Sequence, residues 1–170
     1  MMNKPSFAIH SPALPKIFPV ALWDVSPEDF PHEGTALENW KFLLKFAVLA
    51  PTSHNTQPWL FHIRGNELEL YADRTRSCHV VDPDDRELVM SCGCALYQLR
   101  SAMAHFAYAG EVTILPDSSD PDLLASVHLG TYEERSTEES ILFYAITKRY
   151  DASFQMCKSK TLGFLAKRSA

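Results

Sequence analysis

Glycine is scarce in this chain, with six in 170 residues, so glycine-rich phosphate loops and dinucleotide-binding turns have little material to form from. Positive charge is also thin. Sixteen Lys and Arg face 21 Asp and Glu, for a net charge of −5. No basic stripe exists to neutralise phosphates, which argues against nucleic acid as a main partner. Long apolar runs are missing too: Lys41, Lys45 or Arg100 interrupts each of the longest, so none reads as a bilayer span. The N-terminal stretch scatters Pro5, Pro12, Pro15 and Pro19 where a secretory leader would carry a basic and then an apolar region. The expected location is therefore cytoplasmic.

The four cysteines, Cys78, Cys92, Cys94 and Cys157, make neither a disulfide framework nor a zinc pattern. On a helix, Cys92 and Cys94 would point about 200° apart. Free, mostly buried thiols are expected, because an unpaired cysteine behaves as a small apolar residue. His54, His62, His79 and His128 fall on different segments with no ligand spacing, so no metal site is expected. No Ser-His-Asp ordering is present, and no catalytic residue is assigned.

What is present is the composition of a globular domain, 46% hydrophobic and 22% charged, in a chain long enough to bury a core. Residues 1–33 are proline-rich without sustained periodicity and read as an extended arm, with a short turn near Ser26–Asp29. Thr35–Ala50 reads as a helix, with Thr35 as N-cap and Glu38 completing a capping box. Trp59–Ile63 and Leu68–Tyr71 read as strands joined at Gly65-Asn66, a hairpin signal. Asp84 or Asp85 opens a long helix expected to reach about Ala109 and to end at Gly110. Its core face is Leu88, Ser91, Ala95, Leu99, Ala102 and Phe106. Two further strands are expected over Glu111–Leu115 and Ala125–Leu129. A third helix is expected from Ser136 to about Arg149, with Ser136 or Thr137 as cap and acidic Glu138 and Glu139 following. From Tyr150 the pattern dissolves into a basic tail. The division is thus an arm (1–33), a domain (34–149) and a divergent tail (150–170).

Between the first helix and first strand lies Ala50-Pro51-Thr52-Ser53-His54-Asn55-Thr56-Gln57-Pro58-Trp59. Pro51 stops the helix and stiffens the turn. Thr52, Ser53, Asn55 and Gln57 crowd donors and acceptors into it, as a polar, polyhydroxylated ligand would need. The competing reading is a capping and hairpin scaffold with no ligand. Trp59 is expected to pack in the core. The charged string Asp73-Arg74-x-Arg76, with Asp82 and Arg86-Glu87, reads as solvated loop ion pairs of small value.

This decapeptide resembles the Ala-Pro-Ser-x-x-Asn-x-Gln-Pro-Trp segment of the nitroreductase family. The resemblance continues through Tyr71-Ala72-Asp73-Arg74, Asp82-Pro83-x-x-Arg86-Glu87-Leu88, Ser91–Leu99 and Val112–Pro116. The longer pattern is similar to the twin-domain branch, in which two nitroreductase-like halves share one polypeptide. It implies an α+β fold with an antiparallel-rich central sheet flanked by helices and a long central core helix. It also implies FMN as cofactor, NAD(P)H as reductant, and two-electron transfer to a nitroaromatic, quinone or similar small-molecule acceptor. By resemblance, Pro51, Thr52, Ser53 and Asn55 contact the flavin and Gln57 anchors the turn. Thr52 stands where Ser is usual and keeps a hydroxyl.

The departure is at the phosphate. The family's Arg-Arg-Ser or Arg-Arg-Thr cradle does not precede Trp40. After Ile141–Ile146 the expected pattern begins at Lys148-Arg149, then Tyr150-Asp151-Ala152-Ser153 replaces the arginine-rich run. Arg149, helped by Lys148, is what remains for the phosphate, and Asp151 opposes it. The chain resembles the first half of a twin-domain protein, truncated. Such a half presents half a flavin pocket, which a homodimer or a complementary half-domain would complete. The alternatives are a flavin-sequestering protein without efficient turnover, or a non-catalytic half-domain.

Overall fold

The computed structural model describes residues 7–10, 25–132 and 137–148. Its elements are β1 (Phe7–His10), α1 (Ala36–Ala47), β2 (Trp59–Arg64), β3 (Glu67–Ala72), α2 (Arg86–His105), β4 (Tyr108–Ile114), β5 (Leu123–Tyr132) and α3 (Thr137–Lys148). The strands form one antiparallel sheet in the order β1-β2-β3-β5-β4. This is the α+β architecture expected, with α2 as its long helix.

Local chemistry sets most element boundaries. Thr35 caps α1 reciprocally: its hydroxyl accepts from the Glu38 amide (3.4 Å), while the Glu38 carboxylate accepts from the Thr35 amide (2.8 Å). That exchange holds the Glu38 carboxyl below its ordinary range, chiefly through the Thr35 amide. The helix proper ends at Ala47, and tight turns carry the chain through Ala50. Gly65-Asn66 closes the β2–β3 hairpin, with Gly65 at φ +63°, where a Cβ would be strained.

Strand alternation buries one face of the sheet. Trp59, Phe61 and Ile63 of β2, Leu68 and Leu70 of β3, and Ala125, Val127 and Leu129 of β5 all point into the core. Against this face lies α2, and the core residues expected for it, five within the helix and Phe106 just past its end, are all buried. Between α1, α2 and α3 sits an aromatic cluster. Phe30 stacks on Phe106 at 4.2 Å, and Phe143 of α3 packs on Phe46 at 4.6 Å and His105 at 3.8 Å. Asn39 of α1 donates to the Tyr108 hydroxyl of β4 (2.9 Å), tying helix to sheet edge.

Two expectations at the end of the long helix need correction. The long helix stops at His105, not Ala109, because Ala107 takes a left-handed conformation (φ +62°) and turns the chain straight into β4. Gly110 is consequently a strand residue beside a β-bulge, where the register shifts between Tyr108 and Gly110, and not a helix terminus. At the other end, Asp85 opens α2 from the N-cap position, as expected, without a side-chain cap bond. The cap comes from Asp82, which accepts from the amides of Arg86 (2.8 Å) and Leu88 (3.0 Å). Phe7–His10 adds a strand within the stretch read as an arm. The Ser136 cap, the start of the basic tail and Asp151 lie outside the described residues.

Candidate functional site

The turn between α1 and β2 is built from backbone that L-residues rarely adopt. Thr52 is extended, Ser53–Asn55 form a single tight helical turn, and His54, Asn55 and Gln57 have φ of +54°, +56° and +49°. Each such conformation outside glycine costs on the order of 1 kcal/mol, and clusters of them mark sites that the surrounding structure holds in place. Inside the turn, the amides of Asn55 and Thr56 donate to the carbonyls of Thr52 and Ser53 (3.3 and 3.2 Å). The Thr56 hydroxyl donates to the Ser53 carbonyl (3.1 Å), and the Thr52 hydroxyl accepts from the Gln57 amide (3.4 Å).

The clamp on this turn comes from elsewhere in the chain. Arg76 Nη1 donates to the carbonyls of Thr56 (3.1 Å) and Gln57 (3.2 Å), while its Nε pairs with Asp73 Oδ2 at 3.1 Å. Asp73 is buried and also accepts from the amide and hydroxyl of Thr75. Below the turn, the Pro58 carbonyl accepts from the Asp73 amide (2.9 Å) and the Cys92 thiol (3.2 Å). Burial pushes the Cys92 thiol up to about 12, so it is a protonated donor rather than a nucleophile. A second clamp flanks the first. Arg74 bridges Asp122 (2.6 Å) and Asp85 (2.7 Å), and Asp85 also accepts from the Ser77 hydroxyl (2.6 Å). These bonds keep the Arg74 guanidinium charged and, with the Ser77 hydroxyl first, hold the Asp85 carboxyl below its ordinary range.

Five of the six residues singled out for cofactor binding therefore share one rigid turn. Pro51, Thr52 and Ser53 are half-buried, Asn55 is exposed and Gln57 is buried. Arg149 lies outside the described residues. His54 is exposed at the same turn. Between the turn and the start of α2 is a cleft of about 10 Å³, room for roughly one water. Among the described residues nothing encloses the polar groups of Thr52, Ser53 and Asn55, which are half-buried or exposed. Sequence reasoning passed over Arg76, Asp73 and Asp82. Their charges were visible, but the string read as solvated ion pairs, whereas Asp73 and Asp82 are buried and all three organise the turn or the adjoining helix. Trp59 is fully buried, as expected. Of the cysteines described, only Cys92 is buried; Cys78 and Cys94 are half-buried, and all three are free. Among the described residues no helix is long and apolar enough to cross a membrane.

No family model matches the chain. Curated relatives do match in part. A Mycobacterium tuberculosis protein named "Putative NAD(P)H nitroreductase" is 38% identical over 90 residues, 53% of this chain and 26% of its own. A second protein of that organism with the same description is 33% identical over 87 residues, 51% of this chain and 26% of its own. A Serratia protein named "Probable NAD(P)H nitroreductase PigM" is 36% identical over 75 residues, 43% of this chain and 20% of its own. The matched part spans about a quarter of the length of these relatives, and about half of this chain is similar to proteins named as nitroreductases.

Proposed function

We propose that the Pro51–Pro58 turn is one wall of an FMN site and that the chain works as a nitroreductase-type oxidoreductase. The observation that carries this reading is the turn itself. It is strained, clamped from outside by Arg76, and carries unburied polar groups at Thr52, Ser53 and Asn55. The names of the partial relatives support the same chemistry.

The residues present suit part of the cofactor. The hydroxyls of Thr52 and Ser53 and the amide of Asn55 offer the donors and acceptors that a ribityl chain and a pyrimidine edge require. Gln57 is buried, and in this reading it anchors the turn. Phosphate is a different matter. Arg76, the cation set against the turn, already serves two carbonyls and Asp73. In this reading the phosphate falls to Arg149, with Lys148 beside it. Bound FMN supplies two-electron transfer from NAD(P)H to a small-molecule acceptor such as a nitroaromatic or quinone. The protein's own contribution is to orient the flavin edge on a turn that does not have to reorganise. An open surface needs a second wall, supplied by another copy in a homodimer or by a complementary half-domain. We place the protein in the cytoplasm, where reduced nicotinamide is at hand.

A second reading, flavin binding without efficient turnover, is favoured by the commitment of Arg76 to the turn. Titrating FMN into the purified chain during size-exclusion chromatography tests both. Flavin absorbance should co-elute with a dimer-sized species. Asn55→Ala should weaken retention by roughly tenfold, the worth of about one hydrogen bond. A colourless protein that retains no added FMN refutes both readings, and NAD(P)H oxidation by the loaded protein separates the first from the second.

A further inference from the structure

At the other end of α2 from the turn, about 24 Å away by helical rise from Leu88 to Ala104, the surface opens into a groove of about 360 Å³. That volume falls in the range of small-molecule sites. Three elements make it: the last turns of α2, the bulged start of β4, and α3.

Its lining is chemically uneven. Tyr97, Arg100, Ser101 and Ala104 recur at helical spacing and form one stripe of α2. Arg100 is exposed and, among the described residues, takes part in none of the ion pairs seen. It shares this with Arg86 at the start of α2, which lines neither this groove nor the cleft at the turn, whereas Arg64, Arg74 and Arg76 each have an acidic partner. Tyr97 is 55% exposed and Leu142 of α3 is 49% exposed, so an aromatic ring and an aliphatic side chain face solvent around the groove. Its base is small: Ala104, Ala107 and the backbone of Ala109 and Gly110, where the bulge breaks the β4–β5 ladder. Tyr108 accepts from Asn39 Nδ2 and retains its own hydroxyl proton, and burial raises its pKa so that the phenol stays neutral.

We infer that this groove is a second small-molecule site, for a planar aryl carboxylate. The aromatic part would lie on the shallow base between Tyr97 and Leu142, and the carboxylate would meet Arg100. A guanidinium with no acidic partner among the described residues is the natural counter-ion for a flat anion, and Tyr97 and Leu142 supply apolar area that an inorganic anion could not use. Nothing in this inference depends on the flavin site.

The test is a titration of the full chain with benzoate and, separately, with uncharged benzamide, followed by amide chemical shifts. Benzoate should move the amides of Tyr97, Arg100, Ala104 and Gly110 in the millimolar range. It should bind roughly tenfold more tightly than benzamide, as expected for one charge-assisted contact at a partly open site. Arg100→Gln, an exposed substitution with little effect on folding, should abolish that preference. Leu142→Ala should weaken both ligands together. The inference is overturned by unmoved amides, by equal binding of the two probes, or by a benzoate preference that survives Arg100→Gln. Broadening of these amides that grows with protein concentration and blocks benzoate would also overturn it, because the groove would then be a contact between copies.

Discussion

Replacing Arg76 by alanine should open the Pro51–Pro58 turn. The side chain makes two bonds to carbonyls of the turn and one to buried Asp73. Hydrogen bonds involving a charged group contribute about 1.5–3 kcal/mol when fully buried. Thr56 is half-buried beside a cleft with room for a water, which can rehydrate the freed carbonyls in part, so about 1 kcal/mol each is the better figure. Asp73 loses its cation but keeps two bonds from Thr75, which sets its share at a further ~1 kcal/mol. The sum is about 3 kcal/mol. The strain in His54, Asn55 and Gln57 is of similar size, about 1 kcal/mol each. Relaxation of that strain therefore offsets much of the loss, and the effect concentrates in the turn. Amides of Asn55, Thr56, Gln57 and Trp59 should exchange with solvent on the order of tenfold to a hundredfold faster, while those in the α2 core change little. The melting temperature should fall by about 3–6 °C, a net loss of 1–2 kcal/mol in a chain of this size. Arg76→Lys keeps the charge but not the fork, and should recover less than half of the loss. Unchanged exchange in the turn together with an unchanged melt would refute the clamp.

Two further outcomes follow from the core. The folded Cys92 thiol, pushed up to about 12 by burial, stays protonated while the unfolded thiol ionises near 9. Its stability is complete below pH 9 and is lost as pH rises toward 12, by at most about 1.4 kcal/mol per pH unit. Urea melts of wild type and Cys92→Ala across that range should converge with rising pH, and parallel curves would refute the assignment. Phe143→Ala empties the centre of the aromatic cluster that docks α3 and should cost about 3–5 kcal/mol, read by urea denaturation with loss of helical signal; a change under ~1 kcal/mol would mean that α3 is held by something else.

The features legible in the sequence were those whose causes are local. The Thr35/Glu38 box, the Gly65-Asn66 hairpin and the apolar face of α2 each rest on residues within a few positions of one another. What stayed hidden depends on contacts across the chain or on conformations the residue type does not advertise. Ala107 ends α2 in a conformation usually left to glycine or asparagine, so Gly110 looked like the natural stop. Asp82 caps α2 from outside the expected position because Asp85 is drawn off by Ser77 and Arg74. Of the candidate site, the turn's location and polar residues were readable from its prolines, hydroxyls and amides. Its shape was not, since Arg76 reaches it from about 20 positions away in sequence.

Asp85, at the start of α2, is also left-handed (φ +53°) and is bound by Arg74. Four non-glycine residues in this conformation therefore flank a single end of the long helix, each in a segment sutured by an arginine. A loop of glycines could adopt the same path, but it would also sample many others, and a ligand would have to select the right one at an entropic cost. Here the shape is set when the chain folds. Substituting glycine at His54 or Asn55 would make the turn easier to form and harder to keep, a trade of fidelity for comfort that this chain has declined.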